Sequence, residues 1–474
     1  MKKEINLLEQ LRSGAELCFR EQLWLTIQLS IPAILAQISS IVMQYIDASM
    51  VGQLGAGGSA AIGIVSSSTW LMGGLCAAAA TGFTVQVAQR VGAKNDKEAR
   101  SIVRQGLAAV FLFGCILMLI GMGISKVLPQ WLGGDASICP DASRYFLIYA
   151  LFIPALQLNS ASGGMLQCSG NMKIPSILHI LMCFLDVVFN LFLIFPTRDI
   201  LLWGMRVTIP GAGLGVMGAA LGTAFAELVT AGMMLYFLLV RSPILHLRKG
   251  EKLCFNSSDL RQAVKIAVPV GFEQAVMCGA QIMTTRIVAP LGTIAIAANS
   301  LSVTAESLCY MPGYGIGSAA TTLIGQSIGA GRKDLTRRLG WITTGLGMAV
   351  MTGSGILLFI FAPFMIRILS PDPAIRDLGA QILRIEAFAE PMYAASIVAS
   401  GVFRGAGDTL IPSCMNFFSM WFVRIPLSAL LAVKFGLYGV WLAMCIELCV
   451  RGVIFLFRLK GKRWMTGISS PEKC

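Results

Sequence analysis

Charge is scarce in this chain of 474 residues. Only 13% of them are Asp, Glu, Lys or Arg, 56% are hydrophobic, and the mean hydropathy is +0.74. A soluble domain would carry roughly 25% charged residues, so an ordinary soluble fold is excluded. Histidine is scarcer still. His179 and His246 lie far apart, and no Ser-His arrangement or zinc-hydrolase run accompanies them. Without a nucleophile-base or metal-ligand constellation, an enzyme is not expected. The 13 Cys are scattered, with neither zinc nor disulfide spacing. Cys445 and Cys449 share a helix face, where packing is the plainer role. A cleavable signal peptide is not expected either: residues 1–20 are polar and amphipathic, and Pro32 interrupts a segment too long for a signal core.

Long apolar runs are what the chain has in abundance. Twelve stretches of about 20 residues or more could cross a bilayer as helices. They cover 23–51, 60–87, 102–125, 143–167, 174–196, 212–240, 262–289, 295–323, 339–368, 376–402, 412–433 and 436–458. The second half also repeats the first at an offset of about 237 residues. Pro32, Gln37, Leu54 and Gly55 return as Pro269, Gln274, Leu291 and Gly292. The run AQRVGA (88–93) returns as GQSIGA (325–330), and Gly170-Asn171 … Ile174-Pro175-Ser176 returns as Gly407-Asp408 … Ile411-Pro412-Ser413. Six spans per half is an even number, so both halves start on the same side. The expected fold is an all-α integral membrane protein. Its 12 transmembrane helices form two six-helix bundles related by a pseudo-twofold axis along the membrane normal. A duplicated chain burying one shared interface is the pattern of a secondary transporter.

Lys and Arg set the orientation. With both termini inside, the inner loops and tails hold roughly 26 of them and the outer loops roughly 7. The expected organisation is an amphipathic N-terminus on the inner surface (1–22), an N-lobe (23–240), a basic cytoplasmic linker (241–261), a C-lobe (262–459) and a basic cytoplasmic tail (460–474). Basic loops against lipid headgroups explain the net charge of +13, so nucleic acid is not an expected partner.

Each ionisable group inside a span costs roughly 2.5–3.5 kcal/mol and needs a reason. The first half has Asp47, Asp186 and Glu227. The second has Glu273, Arg286, Glu306, Arg384, Glu386, Glu390, Arg424, Glu447 and Arg451. Depth groups some of them. Asp47 lies about 9 Å from the outer end of its span at 1.5 Å per residue. Asn190 comes to a similar level, and Asp186 is one turn deeper on the same face. Ala219 and Thr223, also one turn apart, reach that level from span six. Two carboxylates, an amide and a hydroxyl in one desolvated pocket suit a shared proton or a hard cation such as Na⁺. Helix-packing hydrogen bonds are the alternative role. Pro32, about four turns inward of Asp47, kinks that span, either statically or as a moving joint. Glu447 and Arg451 are i, i+4 and neutralise one another.

The first span (IPAILAQISSIVMQYIDASMVGQLGAG), the QRVGAKNDKEAR run, GVMGAALGT in span six and FRGAGDTLIPS before span eleven resemble the multidrug and toxic compound extrusion (MATE) family. The resemblance covers nearly the whole chain. It implies an antiporter that exports organic, often cationic, compounds in exchange for H⁺ or Na⁺ by alternating access. In the DinF-like branch the coupling ion is placed in the N-lobe, on positions that fall here on Asp47, Asp186, Asn190, Ala219 and Thr223. That pattern has Asn before Asp in span five; here Asp186 precedes Asn190. NorM-like relatives use C-lobe acids of spans seven and ten, which implies a second cation site on Glu273 with Glu390 and Glu386.

A drug cavity between the lobes is the matching expectation, with Gln37, Gln274, Met43 and Tyr393 as lining candidates; the 24 Met suit adaptable surfaces. The alternative within the superfamily is a flippase for a lipid-linked saccharide precursor. Expected partners are small-molecule drugs and membrane lipids. No cofactor is expected beyond the coupling ion, and no metal beyond Na⁺. Family precedent is a monomer in the bacterial cytoplasmic (inner) membrane, with both termini cytoplasmic.

Overall fold

The computed structural model describes residues 2–202, 205–248, 250–251, 255–370 and 372–465. The short α1 (Lys2–Ser13) precedes α2 (Phe19–Gly52), α3 (Ala56–Gly92), α4 (Asp96–Ile124), the single turn α5 (Leu128–Trp131), α6 (Cys139–Cys168) and α7 (Lys173–Leu193). Strands β1 (Pro196–Leu202) and β2 (Met205–Ala212) lead into α8 (Val216–Tyr236). The second half holds α9 (Ser257–Val288), α10 (Thr293–Gly329), α11 (Lys333–Leu369), α12 (Pro373–Ala387), α13 (Glu390–Ala406), α14 (Leu410–Phe418), α15 (Ile425–Phe435) and α16 (Leu437–Lys460).

Side chains capture the free amides where several crossings begin. Asn95 accepts from the Glu98 amide at 3.2 Å, and the Glu21 carboxylate accepts from the Cys18 amide at 2.8 Å. Among the described residues, ten helical stretches are long and apolar enough to cross a membrane unaided. The two remaining expected spans have identifiable reasons for failing that measure. α10 is 37 residues long but dotted with Ser, Thr, Asn and Glu, which is tolerable because it packs on α2, α3, α11 and α13. The tenth span is broken into α12 and α13. Pro391 cannot donate to the Ala387 carbonyl, and the chain passes the gap in a tight turn with the Ala389 amide on the Glu386 carbonyl at 2.7 Å. Span eleven is interrupted too, by a π turn over Ser419–Arg424 just before Pro426.

The connection 197–211 between spans five and six pairs as the antiparallel hairpin β1–β2, with Ile200 opposite Val207; the β-branched run Val207-Thr208-Ile209 favours that state. The N-terminal amphipathic helix buries Leu7, Leu8 and Leu11 in an apolar cluster that also holds residues of α2, α10, α11 and α13.

The bundles meet along antiparallel seams, α2 on α10 and α3 on α9. Tyr45 Oη donates to the Thr304 carbonyl at 2.8 Å on one seam. On the other, a Cβ at Gly82 would fall 2.5 Å from the Ala263 carbonyl oxygen. At the end carrying the termini and basic loops, α3 and α10 touch backbone to backbone. A Cβ at Gly92 would sit 2.1 Å from the Gln326 carbonyl oxygen, and one at Gly329 would sit 1.9 Å from that of Gln89. Gln89 Nε2 donates to the Gly405 carbonyl at 3.2 Å, and Gln326 Nε2 to the Cys168 carbonyl at 2.8 Å. All four pairings exchange under the 237-residue offset, so the repeated AQRVGA and GQSIGA runs mark the pseudo-twofold axis. The basic end is closed there.

The linker is tied to the first bundle. Glu251 pairs with Arg100 at 2.9 Å and with Arg104, and Gln105 Nε2 donates to Asp259 at 2.8 Å. Hydrogen bonding from Arg100, then Arg104, holds the Glu251 carboxyl below its ordinary range. A depressed carboxyl stabilises the fold at neutral pH, and that contribution is lost as pH falls below about 4. Glu251→Gln should therefore raise tryptic cleavage of the linker at pH 7, whereas the unmodified chain stays protected until pH drops past the carboxylate range. Equal cleavage of the two proteins at pH 7 would remove this role.

The axis contact makes a second prediction. Gly329→Ala overpacks backbone against backbone and should destabilise the closed form by about 1–3 kcal/mol. Gly345→Ala, at a position open for 4 Å around, serves as control. Thermal unfolding in detergent decides: matching midpoints for the two variants would contradict the contact.

Candidate functional site

α2, α7 and α8 bring their polar side chains to one place. Asn190 Nδ2 donates to Asp47 Oδ1 at 2.9 Å and to Asp186 Oδ2 at 3.1 Å. One amide thus bridges two carboxylates. Asp186 and Asn190 are 0% and 1% exposed, and Asp186 Oδ1 and Asn190 Oδ1 are buried without a hydrogen-bond partner. Thr223 stands beside Asp186, while its hydroxyl donates to the Ala219 carbonyl at 3.2 Å. The approach depends on a missing side chain: a Cβ at Gly222 would lie 2.0 Å from Asn190 Oδ1. Apolar layers close both sides. Met50, Val51, Ile194, Phe195 and Ala219 cover one, and Met182, Cys183 and Ala226, with Met43 packed on them, cover the other.

The chemistry follows from charge balance. Two carboxylates share one neutral donor, and no cationic side chain is paired with either among the described residues. Two bare negative charges at that separation in a desolvated pocket repel strongly, so the site needs a proton or a bound cation. Carboxylate, amide and hydroxyl oxygens are hard donors and fit either H⁺ or Na⁺. No group of three or more His, Cys, Asp or Glu is placed to hold a metal among the described residues.

Two further polar pairs stand in the same bundle. Asn159 Nδ2 donates to Glu227 Oε2 at 2.6 Å, from α6 to α8. Ser40 and His179 Nε2 are 2.9 Å apart, between α2 and α7. Asn159 was not singled out from the sequence; a buried amide on a span with no acid of its own gives little signal.

The second bundle divides its acids. Glu447 pairs with Arg424 at 2.9 Å and Arg451 at 3.2 Å and accepts from Ser419, the mutual neutralisation expected of the i, i+4 pair. All four carboxylate oxygens of Glu386 and Glu390 are buried and unpartnered, and Glu306 of α10 lies within electrostatic reach of both. Tyr393 packs edge-on against Tyr310 at 5.5 Å, with the Arg451 guanidinium over its ring at 5.4 Å.

Glu273 does not join them. It accepts from Asn416 at 2.8 Å and Ser413 at 3.1 Å and pairs with Arg404 at 3.4 Å. Arg404 and Glu390 are fourteen residues apart on α13, about 21 Å of helix, so Glu273 and Glu390 do not form one site. The neighbour Glu390 has instead is Glu306, an in-span acid that motif matching passed over. Gln37 and Gln274 are not brought together either. Gln274 lies against Gly74 of α3, while Gln37 sits on α2, whose cross-bundle partner is α10.

Comparison with known proteins gives a consistent picture. The MatE family model matches residues 32–192 and again 269–430, so each copy begins at the repeated proline, Pro32 or Pro269. The chain is 26% identical over 453 residues to a probable multidrug resistance protein NorM of Thermotoga maritima, covering 94% of each. It is 25% identical over 427 residues to the uncharacterized transporter YisQ of Bacillus subtilis, covering 88% of this chain and 90% of that one. Among solved structures, a MOP superfamily transporter from Pyrococcus furiosus superposes with a TM-score of 0.85 at 18% identity, over 96% of this chain and 98% of that one. The helices, the repeat and both matched segments agree: the chain belongs to the MatE family and is an α-helical, multi-pass membrane transporter of the MATE type.

Proposed function

We propose that the protein is a multidrug efflux antiporter, driven by a cation that binds at Asp47, Asp186 and Asn190. The Asn190 amide that bridges Asp47 and Asp186, with its own Oδ1 and the carboxylate Oδ1 of Asp186 buried and unpartnered, is the observation that carries the reading. The names of its relatives as multidrug resistance proteins support the substrate class. In this reading the bundles, residues 23–240 and 262–459, rock about the Gly92–Gly329 axis. The basic end faces the cytoplasm, as the distribution of Lys and Arg requires.

Binding of a cation removes the repulsion between Asp47 and Asp186 and lets α2 close on α7. Release restores it. Pro32 leaves one backbone carbonyl of α2 without its helical bond, so that helix can bend as the charge on Asp47 changes. A drug that prefers the cation-free state is then exchanged for the ion, because each ligand favours a different arrangement of one equilibrium. The reversed order of Asp186 and Asn190 keeps the donor inventory and exchanges the depth of the two groups. In the second bundle, Glu306, Glu386 and Glu390 exceed the available Arg charge once Glu447 has taken both Arg424 and Arg451. That excess suits protons shared among the acids, or an organic cation facing Tyr310 and Tyr393.

Asp47→Asn should lower ion-driven ethidium efflux from proteoliposomes by at least about tenfold while insertion and thermal stability persist. Undiminished transport by that variant would end the proposal. A pH gradient and a Na⁺ gradient, imposed separately, name the ion. Gly222→Ala should displace Asn190 and cut the same activity with Asp47 and Asp186 intact; normal transport would show that the bridge is dispensable.

A further inference from the structure

The axis contact at the basic end is twofold symmetric, and one further element, α1, crosses it. Arg12 of α1 reaches both bundles. Its Nε donates to Gln326 Oε1 at 3.2 Å and its Nη2 to the Ser169 carbonyl at 2.9 Å. Gln326 is the residue whose own amide already donates to the Cys168 carbonyl. One guanidinium thus ties α10 of the second bundle to the end of α6 in the first. Arg332 Nη1 holds the Ala15 carbonyl at 2.6 Å and fixes the trailing end of α1. Leu8 is seated so closely against the first bundle that a Cβ at Gly170 would lie 2.7 Å from its Cδ1. Met172 joins the same apolar cluster. The counterpart of α1 in the repeat, the linker before α9, is held to the first bundle by different groups: Glu251 pairs with Arg100 of α4, and Asp259 of α9 accepts from Gln105 of α4.

We propose that α1 is a latch on the cytoplasmic gate. Its Arg12 and Leu8 contacts exist only when Gln326 and Ser169 are adjacent, so they stabilise the closed gate and must break when the gate opens inward. The latch therefore sets the resting balance between the two accessible states. This inference rests on the alternating-access reading above, but not on the identity of ion or drug. An element bound to one conformation shifts the equilibrium by its differential contact with the two.

Cys168 is the reporter. Its side chain is 4% exposed, and it belongs to the gate, because its carbonyl accepts from Gln326. Inside-out vesicles carrying the full-length protein are treated with a membrane-impermeant maleimide, and modification of Cys168 is followed by peptide mass spectrometry. Arg12→Ala should raise its labelling rate about fivefold or more, the factor one net hydrogen bond carries in an equilibrium. Leu8→Asp, which dislodges the helix without touching the gate residues, should do the same, and Arg12→Lys should fall between. Unfolding midpoints identify a variant that labels merely because it is misfolded. Unchanged labelling in both folded variants overturns the latch. Faster labelling in a protein that shows no ion-driven efflux keeps the latch and removes the antiport reading; efflux with unchanged labelling does the reverse.

Discussion

Backbone contact between Gly92 and Gln326, repeated between Gly329 and Gln89, sets how closely the two bundles approach. The other cross-bundle contacts follow from that distance. Gln89 and Gln326 can reach carbonyls on α13 and α6 only because the helices beneath them touch without side chains between. Atoms in van der Waals contact resist compression, so two bundles joined this way can pivot about the contact more easily than they can slide. The site of Asp47 lies on α2, one of the helices that such a pivot would move.

Charge within the apolar bundles is the second constraint. The first bundle holds Asp47, Asp186 and Glu227, and among the described residues the donors to them are neutral, Asn190 and Asn159. In the second, Glu447 engages Arg424 and Arg451, while the carboxylate oxygens of Glu386 and Glu390 are buried and unpartnered. A low-dielectric interior penalises such carboxylates when they are charged, and a proton or a cation would relieve that penalty. The repeat makes the contrast legible: Asp47, Asp186 and Asn190 correspond to Thr284, Val423 and Leu427. Thr284 merely donates to the Ala280 carbonyl of its own helix, and Val423 lies in the π turn.

Depth counted along single helices located the Asp47 group because all its members lie near one end of their spans and on the faces that meet. The pairing of Glu273 with Glu390 came instead from the resemblance to NorM-like relatives, and the structure does not bring the two together. Both are buried acids, but Glu273 of α9 meets α13 through Arg404, fourteen residues from Glu390. A span-by-span reading carries no information about which stretch of a helix touches which neighbour. Glu306 was visible as an in-span acid and lost its place only because the comparison favoured span seven. The amphipathic pattern of residues 2–13 was equally visible, and equally silent about whether lipid or protein would cover it.

Composition, periodicity and the 237-residue repeat were sufficient by themselves to determine a duplicated bundle of membrane helices. Apolar length and internal similarity are properties of the chain, independent of how it packs. They flagged AQRVGA and GQSIGA as equivalent runs, but only the structure shows that these residues meet at the axis while the equivalent Gln37 and Gln274 do not. Only the tertiary structure decided which buried polar atoms have partners. That depends on side chains from three or four helices converging within 3 Å, a relation no single segment encodes. It joined Asn190 to both carboxylates, separated Glu273 from Glu390, and carried Arg12 across the axis to the opposite bundle.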